Sequence, residues 1–134
     1  MQDFRKLDVW TRAHELTMQV YQATDTPADR AFPGLNAQIR RAASSIPANI
    51  AEGCGHSSQA EFARFLQHAV GSAQELQYHL LLAHDLKLIP SACYARLDAR
   101  TSQVRQMLIG LLKRVRAQRR PLPPRNSSVA RSSA

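Results

Sequence analysis

At 134 residues, 44% of them hydrophobic, the chain suits a single domain that buries roughly two-thirds of its unfolded surface. It holds no apolar run of 18 residues and opens on the charged Met1-Gln2-Asp3-Phe4-Arg5-Lys6, which argues against a transmembrane helix and a secretory signal and predicts a cytoplasmic protein. The net charge of +8 is concentrated at one end: residues 113–134 carry seven basic and no acidic side chains, the other 112 carry 11 basic and 10 acidic ones. That asymmetry suits an anionic partner, nucleic acid or a lipid surface, and equally a tail that only solubilises the domain.

Four segments show helical periodicity and none alternates like a strand. The first helix is predicted over Asp8–Ala23, where Val9, Ala13, Leu16 and Val20 step by four, three and four. Asp25-Thr26-Pro27-Ala28-Asp29 and Phe32-Pro33-Gly34 break the chain after it. The second helix is predicted over Leu35–Glu52, with Leu35, Ile39, Ala42, Ile46 and Ile50 as its stripe. Pro47 lies inside that pattern and removes the amide that would bond the carbonyl of Ala43, so a kink is expected there. Gly53 suits a left-handed residue just past the helix end.

Ser58-Gln59-Ala60-Glu61 is a capping box and opens the third helix, whose stripe runs from Phe62, Phe65 and Leu66 through Leu76 and Leu80 to about Lys87. Gly71-Ser72-Ala73 at its middle would allow a neighbour to approach closely. Ile89-Pro90-Ser91 turns the chain, with Ser91 as N-cap of a fourth helix over Ala92–Ala117. There Leu97, Thr101, Val104, Leu108, Leu111 and Val115 form a coiled-coil-like seam. Short connections make neighbouring helices antiparallel, which predicts an all-α, up-down four-helix bundle over residues 1–117 and a disordered basic Pro/Ser/Arg tail over 118–134.

Catalytic and metal chemistry find no foothold. A di-iron bundle needs two Glu-x-x-His pairs, whereas Glu75 and His79 are four apart and stand alone. Cys54-Gly55-His56 has no second pair at zinc spacing, and Gly53-Cys54-Gly55 lacks a phosphate-loop Lys. Cys54 and Cys93 read as reduced thiols. No catalytic residue, metal or cofactor is expected.

One polar feature stands out. Gln38, Ser45, Asn49 and Glu52 lie along one flank of the second helix, and His68, Ser72, Glu75 and His79 along one flank of the third. If the flanks face each other, Asn49, Glu52, Ser72, Glu75 and His79 form a partly buried hydrogen-bonded network; the alternative is two wet edges.

The run Gln38-Ile39-Arg40-Arg41-Ala42-Ala43-Ser44-Ser45-Ile46-Pro47-Ala48-Asn49-Ile50-Ala51-Glu52-Gly53 resembles the signature of the ribosomal RNA intervening-sequence four-helix-bundle proteins. Phe4, Leu7, Val9-Trp10 and Ala13 also match, as do Phe65-Leu66, Ala69, Gly71-Ser72-Ala73 and Glu75-Leu76. That family is related to the accessory variability determinant proteins of diversity-generating retroelements, which are basic homopentamers that bind a reverse transcriptase and nucleic acid. The resemblance implies a non-enzymatic homo-oligomer, a pentamer by preference, with RNA or DNA and a reverse transcriptase as candidate partners; no membrane is expected, since the sequence holds no long apolar run. Arg40, Arg41, Lys113, Arg114, Arg116, Arg119 and Arg120 would contact phosphates without base readout. A protein-interaction scaffold is the other reading.

Overall fold

The computed structural model describes residues 2–27 and 31–119, the last by its backbone alone. The predicted tail therefore lies outside the described residues, apart from its first two positions. Four helices follow a 3-10 turn at Phe4–Lys6: α1 (Asp8–Ala23), α2 (Leu35–Cys54), α3 (Gln59–Asp85) and α4 (Ser91–Arg119). Each packs on two neighbours, in the cyclic order α1–α2–α3–α4, and the backbones of the diagonal pairs stand farther apart. This is the four-helix bundle that the periodicity predicts. Among the described residues no helix is long and apolar enough to cross a membrane.

The stripes form one core. Leu16, Val20, Ile39, Ile46, Ile50, Leu66, Leu76, Leu80, Leu97 and Leu108 are almost wholly removed from water. In α4 the seam differs from expectation by one residue: Leu112 is buried and Leu111 only partly so. A straight helix turns 100° per residue, so the step of four from Leu108 to Leu112 tracks the core over this length better than a strict 3.5-residue repeat.

Helix ends show where local chemistry decided the boundaries. At α3 the Ser58 hydroxyl accepts from the amide of Glu61 (3.0 Å), as the capping box predicts. The carboxylate of Glu61 does not close the box but takes Arg64 (2.9 Å), and that hydrogen bond holds its carboxyl below the usual range. α3 ends in a Schellman motif: Lys87 adopts φ 61°, its amide donates to His84, and the amide of Leu88 donates to Ala83, both at 2.9 Å. Ser91 is the first residue of α4 instead of its cap.

Neither of two glycines has the role assigned to it. Gly53 is not a left-handed terminator, because α2 continues to Cys54. It is a point of helix contact: a Cβ there would sit 2.9 Å from the Cβ of Phe65 and 3.0 Å from Cδ1 of Phe62. Gly71, expected at a close approach, faces open space. The same substitution should therefore act with opposite sign. Gly71→Ala should raise stability by about 0.5–1 kcal/mol through helix propensity. Gly53→Ala should lower it by about 1 kcal/mol, because overpacking of 1–3 kcal/mol outweighs that gain. Urea midpoints of the two variants check this, and a stabilised Gly53→Ala would mean that α2 and α3 separate freely.

Candidate nucleic-acid interface

The predicted phosphate contacts fall in two places. Arg40 and Arg41 are adjacent on α2 but differ in surroundings. The Arg40 side chain reaches across to the C-terminal end of α1. Its Nε donates to the hydroxyl of Thr24 (2.8 Å), Nη2 donates to the carbonyl of Tyr21 (3.3 Å), and the guanidinium lies 4.8 Å from the Tyr21 ring centroid. Thr24 is buried and passes its own proton to the carbonyl of Val20 (2.7 Å). Asn36 Nδ2 donates to the carbonyl of Thr24 (3.0 Å). These contacts cap α1 with a cation at the negative end of its dipole. Arg41 is exposed. Replacing Arg40 by Gln should thus lower the melting temperature while Arg41→Gln leaves it unchanged. Thermal unfolding of both variants tests this, and equal melting temperatures would contradict the cap.

The second place is the end of α4. Lys113, Arg114 and Arg116 are exposed there and spread over an outward arc of about 160°. Arg116 donates to the side-chain oxygen of Gln67 on α3 (3.1 Å), a surface contact that leaves most of its donors facing water. Helix α4 extends through Arg119, so that residue belongs to the helix and not to the tail. The side chain of Arg119 and all of Arg120 lie outside the described residues.

The polar flanks of α2 and α3 do face each other. Ser45 Oγ and Ser72 Oγ are 2.7 Å apart and join the two helices. Asn49 Nδ2 donates to the Ser45 carbonyl (2.8 Å) and hydroxyl (3.0 Å), and Ser72 donates to the carbonyl of His68 (3.1 Å). The five expected members do not form one network, however. Glu75 and His79 make a separate pair within α3 at 3.3 Å, with the Glu75 side chain 61% exposed, and Glu52 is exposed. Carboxylates at these edges gain more from water than a bundle seam can return, so only the small hydroxyl and amide groups turn inward. Ser45, the residue that joins the flanks, stood on the expected flank but outside the predicted network.

Other constellations resolve into structure. Asp85 Oδ1, His84 Nδ1, His84 Nε2 and Ser91 Oγ line up at 3.2 and 3.3 Å across the α3–α4 turn, and the His84 ring stacks on Tyr94 at 4.5 Å. The order is that of a nucleophile relay. Asp85 is 65% exposed, though, so water competes for its carboxylate, and the array serves to clamp the turn. Among the described residues no group of three metal-ligating side chains is gathered. Burial pushes the Cys54 thiol up, which keeps it protonated and unreactive.

A family model described as 23S rRNA-intervening sequence protein matches residues 5–110. The crystal structure, at 1.70 Å resolution, of a protein with unknown function from the S23 ribosomal protein family of Bacteroides thetaiotaomicron VPI-5482 is similar with a TM-score of 0.74. The two chains are 24% identical, over 78% of this chain and 98% of that one, a likeness that carries the fold. None of the curated proteins compared with this chain is similar to it.

Proposed function

The chain belongs to the 23S rRNA-intervening sequence protein family, and from that premise we propose that it is a homo-oligomeric nucleic-acid-binding accessory protein of a ribonucleoprotein. It acts by holding RNA or DNA on a cationic surface and catalyses no reaction. The observation that carries the reading is the end of α4, where Lys113, Arg114 and Arg116 stand exposed and residues 113–134 include no acid. A cation near a helix C-terminus gains roughly 0.3–1 kcal/mol from the dipole. That stabilisation falls off within the last turn, residues 116–119, so it does not account for Lys113 and Arg114 before it or for Arg125 and Arg131 later in the sequence. In a ring of copies each cationic end is repeated, which raises the local positive charge. A reverse transcriptase belongs to the same reading as a protein partner.

Fluorescence anisotropy with labelled single-stranded RNA and DNA at low and rising salt tests the proposal. Binding should weaken steeply with salt, and removing residues 118–134 should reduce both affinity and slope without changing the helical content. If the full chain binds neither nucleic acid at low salt, the reading is wrong.

A scaffold that docks other proteins is the second reading, favoured by the exposure of Met18 (52%), Tyr78 (59%) and Leu81 (41%). Tyr78 and Leu81 lie on the outer side of α3, and that face suits a second copy of this chain. Light scattering that gives a monomer at micromolar concentration would remove the oligomer from both readings.

A further inference from the structure

We infer that the groove between the start of α1 and the C-terminal half of α4 is a nucleotide slot, which takes one unpaired base of a single-stranded RNA and holds its phosphates with Lys6 and Arg114. The inference rests on the nucleic-acid reading and gives it a place on the described surface, with contact to a base as well as to phosphate.

The groove has a volume of about 610 Å³, within the range of small-molecule sites and ample for a nucleotide. Its walls are apolar where a base would lie. Leu7 from the segment before α1 and Met107 and Leu111 from α4 line it, and all three are only partly buried by the core they pack against. Leu111 is the residue that the sequence places in the α4 seam and that the structure instead turns toward this groove.

Gly110 lines the same groove. It sits in the interior of a 29-residue helix, where glycine costs about 0.5–1 kcal/mol relative to alanine. Nothing in the bundle's packing requires it: an added Cβ would meet only Nη1 of Arg114, at an ordinary 3.6 Å. Its effect is to leave a stretch of helix surface with no side chain of its own, overlaid only by the end of Arg114, which the face of a ring can displace.

Polar groups stand around that apolar floor. Gln103 and Gln106 are exposed at its edge, each with an amide that can both donate to and accept from a base. Lys6 and Arg114 supply two cations, and among the described residues neither side chain has an ion-pair partner. Asp8 is the acid on the rim. It repels phosphate and accepts from an amino group, so the edge of the base turns to Asp8 and the phosphates turn to Lys6 and Arg114. Arg114 belongs also to the cationic end of α4, so a strand leaving the slot can cross the outer face of that helix past Lys113 toward Arg116. An RNA strand combines the required parts, a flat apolar ring with hydrogen-bonding edges and a flanking anion.

The test uses the full chain and a short fluorescein-labelled RNA, single-stranded or as a duplex, with Gly110→Leu and Arg114→Gln as variants. Leucine is a better helix former than glycine, so the first variant keeps the fold while filling the slot. It should bind the single strand about tenfold more weakly, and the loss should persist at high salt, since a stacked base is lost besides any shift of the Arg114 guanidinium, which lies 3.6 Å from the added Cβ. The duplex, whose bases are already stacked, should bind it as it binds the wild type. Arg114→Gln should instead flatten the slope by about 0.7 for the single strand. Photocrosslinking with 4-thiouridine RNA should label peptides containing Leu7 and residues 103–111. If Gly110→Leu binds single strands like the wild type, or the crosslinks lie elsewhere, the slot is wrong and the broader reading stands. If the wild type binds no RNA at low salt, that reading falls and the slot with it.

Discussion

Replacing Thr17 by Val should destabilise the bundle by about 1–3 kcal/mol, although the two side chains have nearly the same shape. The cause is a carbonyl on another helix. Pro47 sits inside α2 and has no amide proton to give the carbonyl of Ala43. Ala43 is wholly buried, so water cannot take the place of that proton. The Thr17 hydroxyl, buried on α1, lies 3.1 Å from the Ala43 carbonyl and 2.9 Å from that of Ala13. Ala13 keeps the ordinary helical amide of Thr17, so a valine would orphan Ala43 alone. The proline gap of one helix is thus filled by a threonine of its neighbour, which also fixes the register of α1 on α2.

A double-mutant cycle isolates this contact. Pro47→Ala restores an amide to the Ala43 carbonyl from within α2, so in that background Thr17→Val should lose most of its effect. The coupling energy between the two sites should be on the order of 1 kcal/mol or more, measured by chemical denaturation. Additive effects would mean that the carbonyl finds another donor.

This pair also marks the limit of what the sequence discloses. Periodicity located all four helices, and the start of α1, the end of α1 and the start of α2 fall at the residues predicted. Periodicity works there because each stripe must face a core and cannot face it at another spacing. The freed carbonyl of Ala43 was legible from Pro47, but its partner was not: a threonine 26 residues away carries no local signal that it will turn toward α2. Arg40 and Arg41 show the same limit in the candidate site. As a dipeptide they read as two equal cations, and only the packing of α1 on α2 separates a helix cap from an exposed charge. Gly53 and Gly71 differ in the same way, since each is a small residue in a helix until the neighbouring surface is known. The groove beside Gly110 lay beyond the sequence altogether, because it joins segments about 100 residues apart.

Neutralising the end of α4 should have the largest effect on binding. The triple variant Lys113→Gln, Arg114→Gln, Arg116→Gln removes three exposed cations and one surface hydrogen bond, to Gln67. Each such change is worth about 0.5 kcal/mol or less in stability, so the bundle should melt almost as before. If each cation neutralises one phosphate of a single strand, releasing about 0.7 counterion, the log–log salt slope should flatten by about 2. That slope implies an affinity loss of between two and three orders of magnitude, roughly, at 50 mM salt, shrinking toward nothing near 1 M. The dependence separates counterion release from a packing defect, because a damaged fold would lose affinity at every salt concentration alike. An unchanged slope would move the contact to Arg41 or to the residues beyond Arg119. In either case the slope counts the phosphates held, and truncation at residue 118 then divides that count between the helix and the chain beyond it.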